Sequence, residues 1–259
     1  MAALYRGMDR TALDAAYNNS AAVRNSSEIV ADWRRRSDAL RTKAKELRYG
    51  PAERNRIDLF EAAPGAPLLV FIHGGYWQMR EKELFSFLAA GPLAHGISVA
   101  LVGYTLAPEK RLGGIVAEVM AVLDFLSRSF TSVTVSGWSA GGHLTAMAMR
   151  HPAVKAGLAI SGIYDLEPIR LCYLNEKLRL DEPEARRNSP LLKDVSSKDL
   201  VVAYGTNELP ELQRQSREFA AKFGHRLLPL EGHDHFTILE ELAAPQGALT
   251  AALRTLVDR

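Results

Sequence analysis

The first place where this chain could do covalent chemistry is the serine in Gly137-Trp138-Ser139-Ala140-Gly141. The pentapeptide follows an apolar run, Val133 to Ser136, and opens a helical pattern at Ala140. A tight strand-to-helix bend of this kind exposes a serine hydroxyl beside the positive end of the new helix, which suits a nucleophile. Acyl transfer through serine also needs a base, an acid that orients the base, and N–H donors for the oxyanion. Donors are offered by His73-Gly74-Gly75-Tyr76-Trp77, which leaves the apolar run Leu68 to Ile72. They are assigned to the amides of Gly75 and Tyr76, joined by Ala140 at the start of the helix.

The base is sought in Gly232-His233-Asp234-His235-Phe236, between the last strand pattern and the last helical one. His235, at the loop's end, is expected to serve, with His233 packing or capping. A chain order of serine, acid, histidine then places the acid after the run Leu200 to Tyr204. That loop reads Gly205-Thr206-Asn207-Glu208-Leu209-Pro210-Glu211 and holds no aspartate, so a glutamate is expected. Glu208 is preferred over Glu211, which suits the first turn of a helix. His73 precedes the nucleophile and sits in the donor loop, where holding that loop by hydrogen bonds is its expected task. Trp77 fits a pocket wall and plain core equally well. Trp77, Trp138 and Tyr164 are the aromatic candidates for substrate contact.

These loops need a scaffold, and the chain from Leu68 onward supplies one by alternating short apolar runs with amphipathic stretches. That rhythm predicts parallel strands joined by crossover helices. Strands are expected at Leu68 to Ile72, Ser98 to Val102, Val133 to Ser136, Lys155 to Ile160, Leu200 to Tyr204 and Arg226 to Leu230, with an edge strand at Arg56 to Phe60. Helices are expected at Glu83 to Ala94, Ile115 to Arg128, Ala140 to Arg150, Glu211 to Phe223 and Phe236 to Leu256. The fold class this implies is α/β, an α/β-hydrolase fold with a mostly parallel central sheet and helices on both faces. Two regions depart from the rhythm: the first 50 residues, with a polar helical pattern, and Asp165 to Val195, with Pro168, Pro183 and Pro190. The second is expected to be a short lid-like insertion.

The chain has 259 residues, 47% of them hydrophobic and 24% charged, with a net charge of +2. That balance suits one globular domain over residues 1–259. The Arg34-Arg35-Arg36 run reads as a solvated helix face, so no nucleic-acid partner is expected. No apolar segment is long enough to predict a membrane span, and MAALYRGMDR lacks a signal-peptide core. The lone Cys172 forms no intrachain disulfide, and a cytoplasmic location is expected. His225, His233 and His235 lack zinc spacing, and no dinucleotide or phosphate-binding motif occurs, so no metal and no cofactor are expected. A homodimer is compatible with the sequence.

Six stretches carry a further signal, and several of them have no general role in such hydrolases. They are His73-Gly74-Gly75-Tyr76-Trp77, Ser161-Gly162-Ile163-Tyr164-Asp165-Leu166-Glu167-Pro168, Arg187-Asn188-Ser189-Pro190, Pro210-Glu211-Leu212, Arg214-Gln215-Ser216 and Asp234-His235-Phe236. Through them the chain, from about Tyr49 to about Leu242, resembles the kynurenine formamidases (arylformamidases). The resemblance implies hydrolysis of N-formyl-L-kynurenine to L-kynurenine and formate. It also implies that the family's serine falls on Ser139, its histidine on His235, and its aspartate, two residues before the Pro-Glu pair, on Glu208. The expected partner is therefore a small aryl amide or ester. A short-chain carboxylesterase or amidase of the same fold shares all of this chemistry. A non-catalytic ligand-binding relative of the fold is the reading from another class.

Overall fold

The computed structural model describes residues 3–193 and 198–258. Eight strands form one sheet in the order β1-β2-β4-β3-β5-β6-β7-β8. They are β1 Lys45–Arg48, β2 Arg56–Phe60, β3 Leu68–Ile72, β4 Ser98–Val102, β5 Val133–Trp138, β6 Val154–Ile160, β7 Leu200–Gly205 and β8 Arg226–Leu230. The pairs β1–β2 and β2–β4 are antiparallel, and the rest of the sheet is parallel. The helices are α1 Arg10–Ala16, α2 Asn19–Ala22, α3 Ser26–Arg41, α4 Ala90–Leu93, α5 Leu112–Leu126, α6 Ala140–Ala148, α7 Glu167–Leu171, α8 Asn175–Leu178, α9 Glu182–Arg187, α10 Pro210–Phe223, α11 Glu240–Ala243 and α12 Ala248–Val257. None of the described helices is long and apolar enough to cross a membrane.

The central strands are mostly apolar, and β3 is so throughout, because both of their faces are covered. In β3, Leu68, Val70 and Ile72 enter one cluster with Ile115, Val119 and Val122 of α5. Leu69 and Phe71 point the other way, into a cluster with Trp33, Phe85 and Leu253. Each such side chain contributes about 1.5–3 kcal/mol on burial, so the period-two alternation fixes which residues face which helices. The expected strands all form, within one or two residues at their ends.

Three differences from the expected elements have local causes. The segment expected as a helix over Glu83 to Ala94 is a 3-10 run, Lys82–Ala89, followed by α4. Ser37 of α3 donates from Oγ to the Leu84 carbonyl (2.8 Å) and accepts from the Phe87 amide (3.1 Å), offering that backbone an alternative to helical bonds. The helix expected over Phe236 to Leu256 divides into a 3-10 turn at Thr237–Leu239, α11 and α12. Ala244 is extended before Pro245, as a residue preceding proline prefers, and a Cβ on Gly247 would stand 2.1 Å from the Glu241 carbonyl oxygen. The strand β1 was not expected. Its sequence Lys-Glu-Leu-Arg is mostly exposed and pairs only with β2, and charges suit such an edge.

The two irregular regions fold against the first cluster and the donor loop. Residues 165–193 carry α7, α8, α9 and a 3-10 turn at Pro190–Leu192, and Ile169, Leu178 and Ala185 bury beside α5 and α10. Positions 194 and 195, the end of the expected insertion, lie outside the described residues. The N-terminal region joins the first cluster through Leu13 and Tyr17 and the second through Trp33. It therefore passes from one face of the sheet to the other.

Candidate active site

The register pairs Ile72 of β3 with Gly137 of β5, so the donor loop and the serine turn leave the sheet side by side. Ser139 has φ 58° and ψ −118°, a conformation that costs a non-glycine residue about 1–3 kcal/mol and persists only where surroundings enforce it. The enforcement is steric. A Cβ on Gly137 would stand 2.3 Å from the Gly141 carbonyl oxygen, and one on Gly141 would stand 1.9 Å from that of Ile72. The two glycines of the pentapeptide thus let the turn close against β3. The Ser139 amide donates to the Ile160 carbonyl at 2.8 Å, tying the turn to β6 as well.

The donor loop rests directly on that turn. A Cβ on Gly74 would meet the Trp138 carbonyl oxygen at 2.7 Å and the Ser139 Cβ at 3.0 Å. Gly75, Tyr76 and Trp77 follow with φ of 114°, 50° and 59°. Among the described residues, no protein acceptor takes the amide hydrogens of Gly75, Tyr76 or Ala140. Free amides on the donor loop and at the start of α6 are the kind of donor that a developing oxyanion needs. The loop is held from both ends. Tyr76 donates its hydroxyl to the Tyr17 carbonyl (2.6 Å) and accepts from Asn19 Nδ2 (2.9 Å), so the N-terminal region grips it. His73 lies fully buried, stacked 4.3 Å from Tyr104, with Nδ1 donating to the Gly74 carbonyl at 2.7 Å. Burial pushes His73 down to about 3, so its ring is neutral at ordinary pH.

His235 and Glu208 meet. His235 Nδ1 donates to Glu208 Oε2 at 3.3 Å, and both side chains are almost fully buried. The other carboxylate oxygen, Oε1, accepts from the Gly205 amide (2.8 Å) and from Ser161 Oγ. Glu211, the alternative acid, lies elsewhere: Arg214 grips it in two hydrogen bonds and Tyr17 donates to it at 3.1 Å. Burial alone would raise the Glu211 carboxyl, but Arg214 outweighs it and the net shift is downward. His233 pairs with Glu241 at 3.4 Å, and Asp234 Oδ1 accepts from the Phe236 and Thr237 amides, fixing the turn that presents His235. Trp138, next to the serine, donates from Nε1 to the His235 carbonyl at 2.7 Å, and the two rings lie 4.8 Å apart.

The three aromatic candidates for substrate contact are packed inside. Trp77 is fully buried and donates to His143 Nδ1 at 3.2 Å, while His143 Nε2 donates to the Asn188 carbonyl at 2.7 Å. Tyr164 is fully buried with its ring stacked 4.1 Å from Phe219. Trp138 makes edge contact with Trp33 besides its contact with His235. Among the described residues, no group of three or more His, Cys, Asp or Glu side chains is arranged to hold a metal ion.

Residues 69–233 match the family model of the alpha/beta hydrolase fold. A kynurenine formamidase of Danio rerio is 32% identical over 239 residues, covering 83% of this chain and 82% of that protein. The chain belongs to the kynurenine formamidase family. Another family member, from Drosophila melanogaster, is 31% identical over 81% of this chain and 80% of its own length. A crystal structure from Silicibacter sp. tm1040, provisionally assigned as a thioesterase, superposes with a TM-score of 0.88. It is 28% identical and covers 95% of this chain and 99% of its own. Like the rest of its family, the chain is a hydrolase of the α/β-hydrolase fold.

Two neighbours of the site escaped the sequence reading. Ser161, at the end of β6, holds φ 51° and bonds the acid. Gly205 lets the acid loop approach the histidine loop, since a Cβ there would stand 2.2 Å from the His233 carbonyl oxygen. The available signals were small residues directly after two of the expected strands, Ser161-Gly162 and Gly205.

Proposed function

We propose that this hydrolase cleaves N-formyl-L-kynurenine to L-kynurenine and formate, with Ser139 as nucleophile, His235 as base and Glu208 as the orienting acid. The observation that carries the reading is the buried His235–Glu208 pair beside a serine held in a strained turn, in a chain whose relatives are kynurenine formamidases. Ser139 Oγ attacks the formyl carbon while His235 Nε2 takes the hydroxyl proton. The carbonyl electrons move to oxygen, and the amides of Gly75, Tyr76 and Ala140 donate to it. His235 then returns its proton to the aniline nitrogen, the C–N bond breaks and kynurenine leaves. Water attacks the formyl-serine, His235 takes the water proton and passes it to Ser139 Oγ, and formate departs. Glu208 holds the imidazole in the Nδ1–H tautomer and stabilises its charged form without accepting the proton. The lone Cys172 is buried and unpaired, so the fold needs no oxidising compartment, which supports action in the cytoplasm.

The test is formate release from N-formyl-L-kynurenine by the purified protein, beside hydrolysis of phenyl acetate. The reading expects efficient formate release, lowered about a thousandfold or more in Ser139→Ala while the thermal midpoint stays near that of the parent. A wild-type protein that turns over phenyl acetate but not N-formyl-L-kynurenine is an esterase, and the reading fails.

A further inference from the structure

Arg80 stands out among the arginines of the described residues. Of the arginines that are only partly exposed, it alone has neither an ion pair nor an acceptor for its guanidinium. Its neighbour Glu81 is engaged by Arg34. Arg80 closes the same loop that carries the Gly75 and Tyr76 amides, with φ 74°, and its carbonyl accepts from Arg54. The guanidinium carbon lies 5.8 Å from the Trp138 ring and 5.9 Å from the Phe236 ring. Trp138 directly precedes Ser139, and Phe236 directly follows His235. Burial lowers the Arg80 affinity for its proton, with Glu81 pulling the other way, and the residue is only partly exposed.

A partly desolvated guanidinium without an acceptor is favoured by an anion that arrives to meet it, and its planar fork favours carboxylates. We propose that Arg80 is a specificity residue that binds a carboxylate carried by the substrate's leaving group while the acyl carbon sits at Ser139. The assignment deepens the formamidase reading and rests on it for the natural substrate, since the leaving group there is an amino acid with a free carboxylate. The aryl ring of such a substrate spans the gap between serine and arginine along the Trp138 side. Packing of the cation on Trp138 and Phe236 is the competing purpose, and it predicts no preference for charge.

The experiment compares kcat/KM for two esters of matched reactivity, neutral phenyl acetate and anionic para-acetoxyphenylpropionate, in wild type, Arg80→Gln and Arg80→Lys. The wild type is expected to favour the anionic ester, chiefly through KM. Arg80→Gln should reduce that preference about 10- to 100-fold, and Arg80→Lys should retain part of it. A wild type indifferent to the carboxylate overturns the proposal, whatever the variants do. So does an Arg80→Gln protein that slows both esters by one factor. If the preference behaves as expected but N-formyl-L-kynurenine is inert, the arginine's role stands and the formamidase reading alone falls.

Discussion

Replacing Gly205 by alanine separates geometry from composition at this site, because no chemical group is removed. The added Cβ would stand 2.2 Å from the His233 carbonyl oxygen and 2.7 Å from its carbon, where ordinary contact begins near 3.4 Å. Both atoms are backbone and cannot rotate away, so the acid loop and the histidine loop must part by about 1 Å. Glu208 lies three residues along one loop and His235 two residues along the other. Their bond is already 3.3 Å long, and a separation of that size breaks it. Overpacking of this kind costs about 1–3 kcal/mol of stability, and a misplacement of about 1 Å costs about a hundredfold in turnover. Gly65→Ala is the control. Nothing lies within 4 Å of that site, so only its φ of +76° penalises the change, and the loop is remote from the chemistry. Urea midpoints and kcat on an aryl ester would be measured for both variants. Comparable stability losses with a large kcat loss only in Gly205→Ala is the expected result. A Gly205→Ala enzyme with kcat within about threefold of the parent would refute the claim that this glycine sets the acid–base distance.

Glu208→Gln should lower kcat about a thousandfold or more, because an amide facing His235 Nδ1 favours the wrong tautomer. Glu211→Gln should leave kcat near the parent value and lower stability, since it only weakens the Arg214 ion pair; the reverse pattern would move the acid to Glu211. Stability should also fall as acid is added. Burial holds His143 at about 4 and His73 at about 3, against an ordinary value of about 6.5. Below about pH 6.5 the unfolded chain binds protons that the native rings refuse, so the stability is complete above that pH. It is lost on descent toward about pH 4, by about 1.4 kcal/mol per pH unit for each ring. Urea midpoints that do not change between about pH 7 and about pH 5 would contradict this.

The parts of this protein that could be read from sequence are those whose cause is local. A strand covered on both faces is mostly apolar, so β3 to β7 declare themselves, and Gly137 and Gly141 betray the tight turn from β5 into α6. Contacts made far along the chain left no comparable mark. Nothing around Ser161 announces a left-handed residue, because its partner Glu208 is 47 positions away. Tyr76 is anchored by Tyr17 and Asn19, whose own surroundings look like an ordinary polar helix. The apolar spacing from Phe236 to Leu256 runs on through Pro245, so periodicity predicted one helix where backbone chemistry required two.

The glutamate at position 208 follows from the same long-range contacts. Where the family resemblance places an aspartate, the extra methylene here adds a rotatable bond, and a freely turning carboxylate would orient the imidazole poorly. The surroundings remove that freedom. The Glu208 amide turns back to the Gly205 carbonyl at 3.1 Å, and Oε1 is fixed by the Gly205 amide and Ser161 Oγ, which leaves Oε2 for His235. The chain reaches the histidine with a longer acid because three groups from two strand ends hold it. Ser161 and Gly205 are therefore part of what makes glutamate usable, and an aspartate in the same backbone would draw back from His235 or from the two groups that fix it.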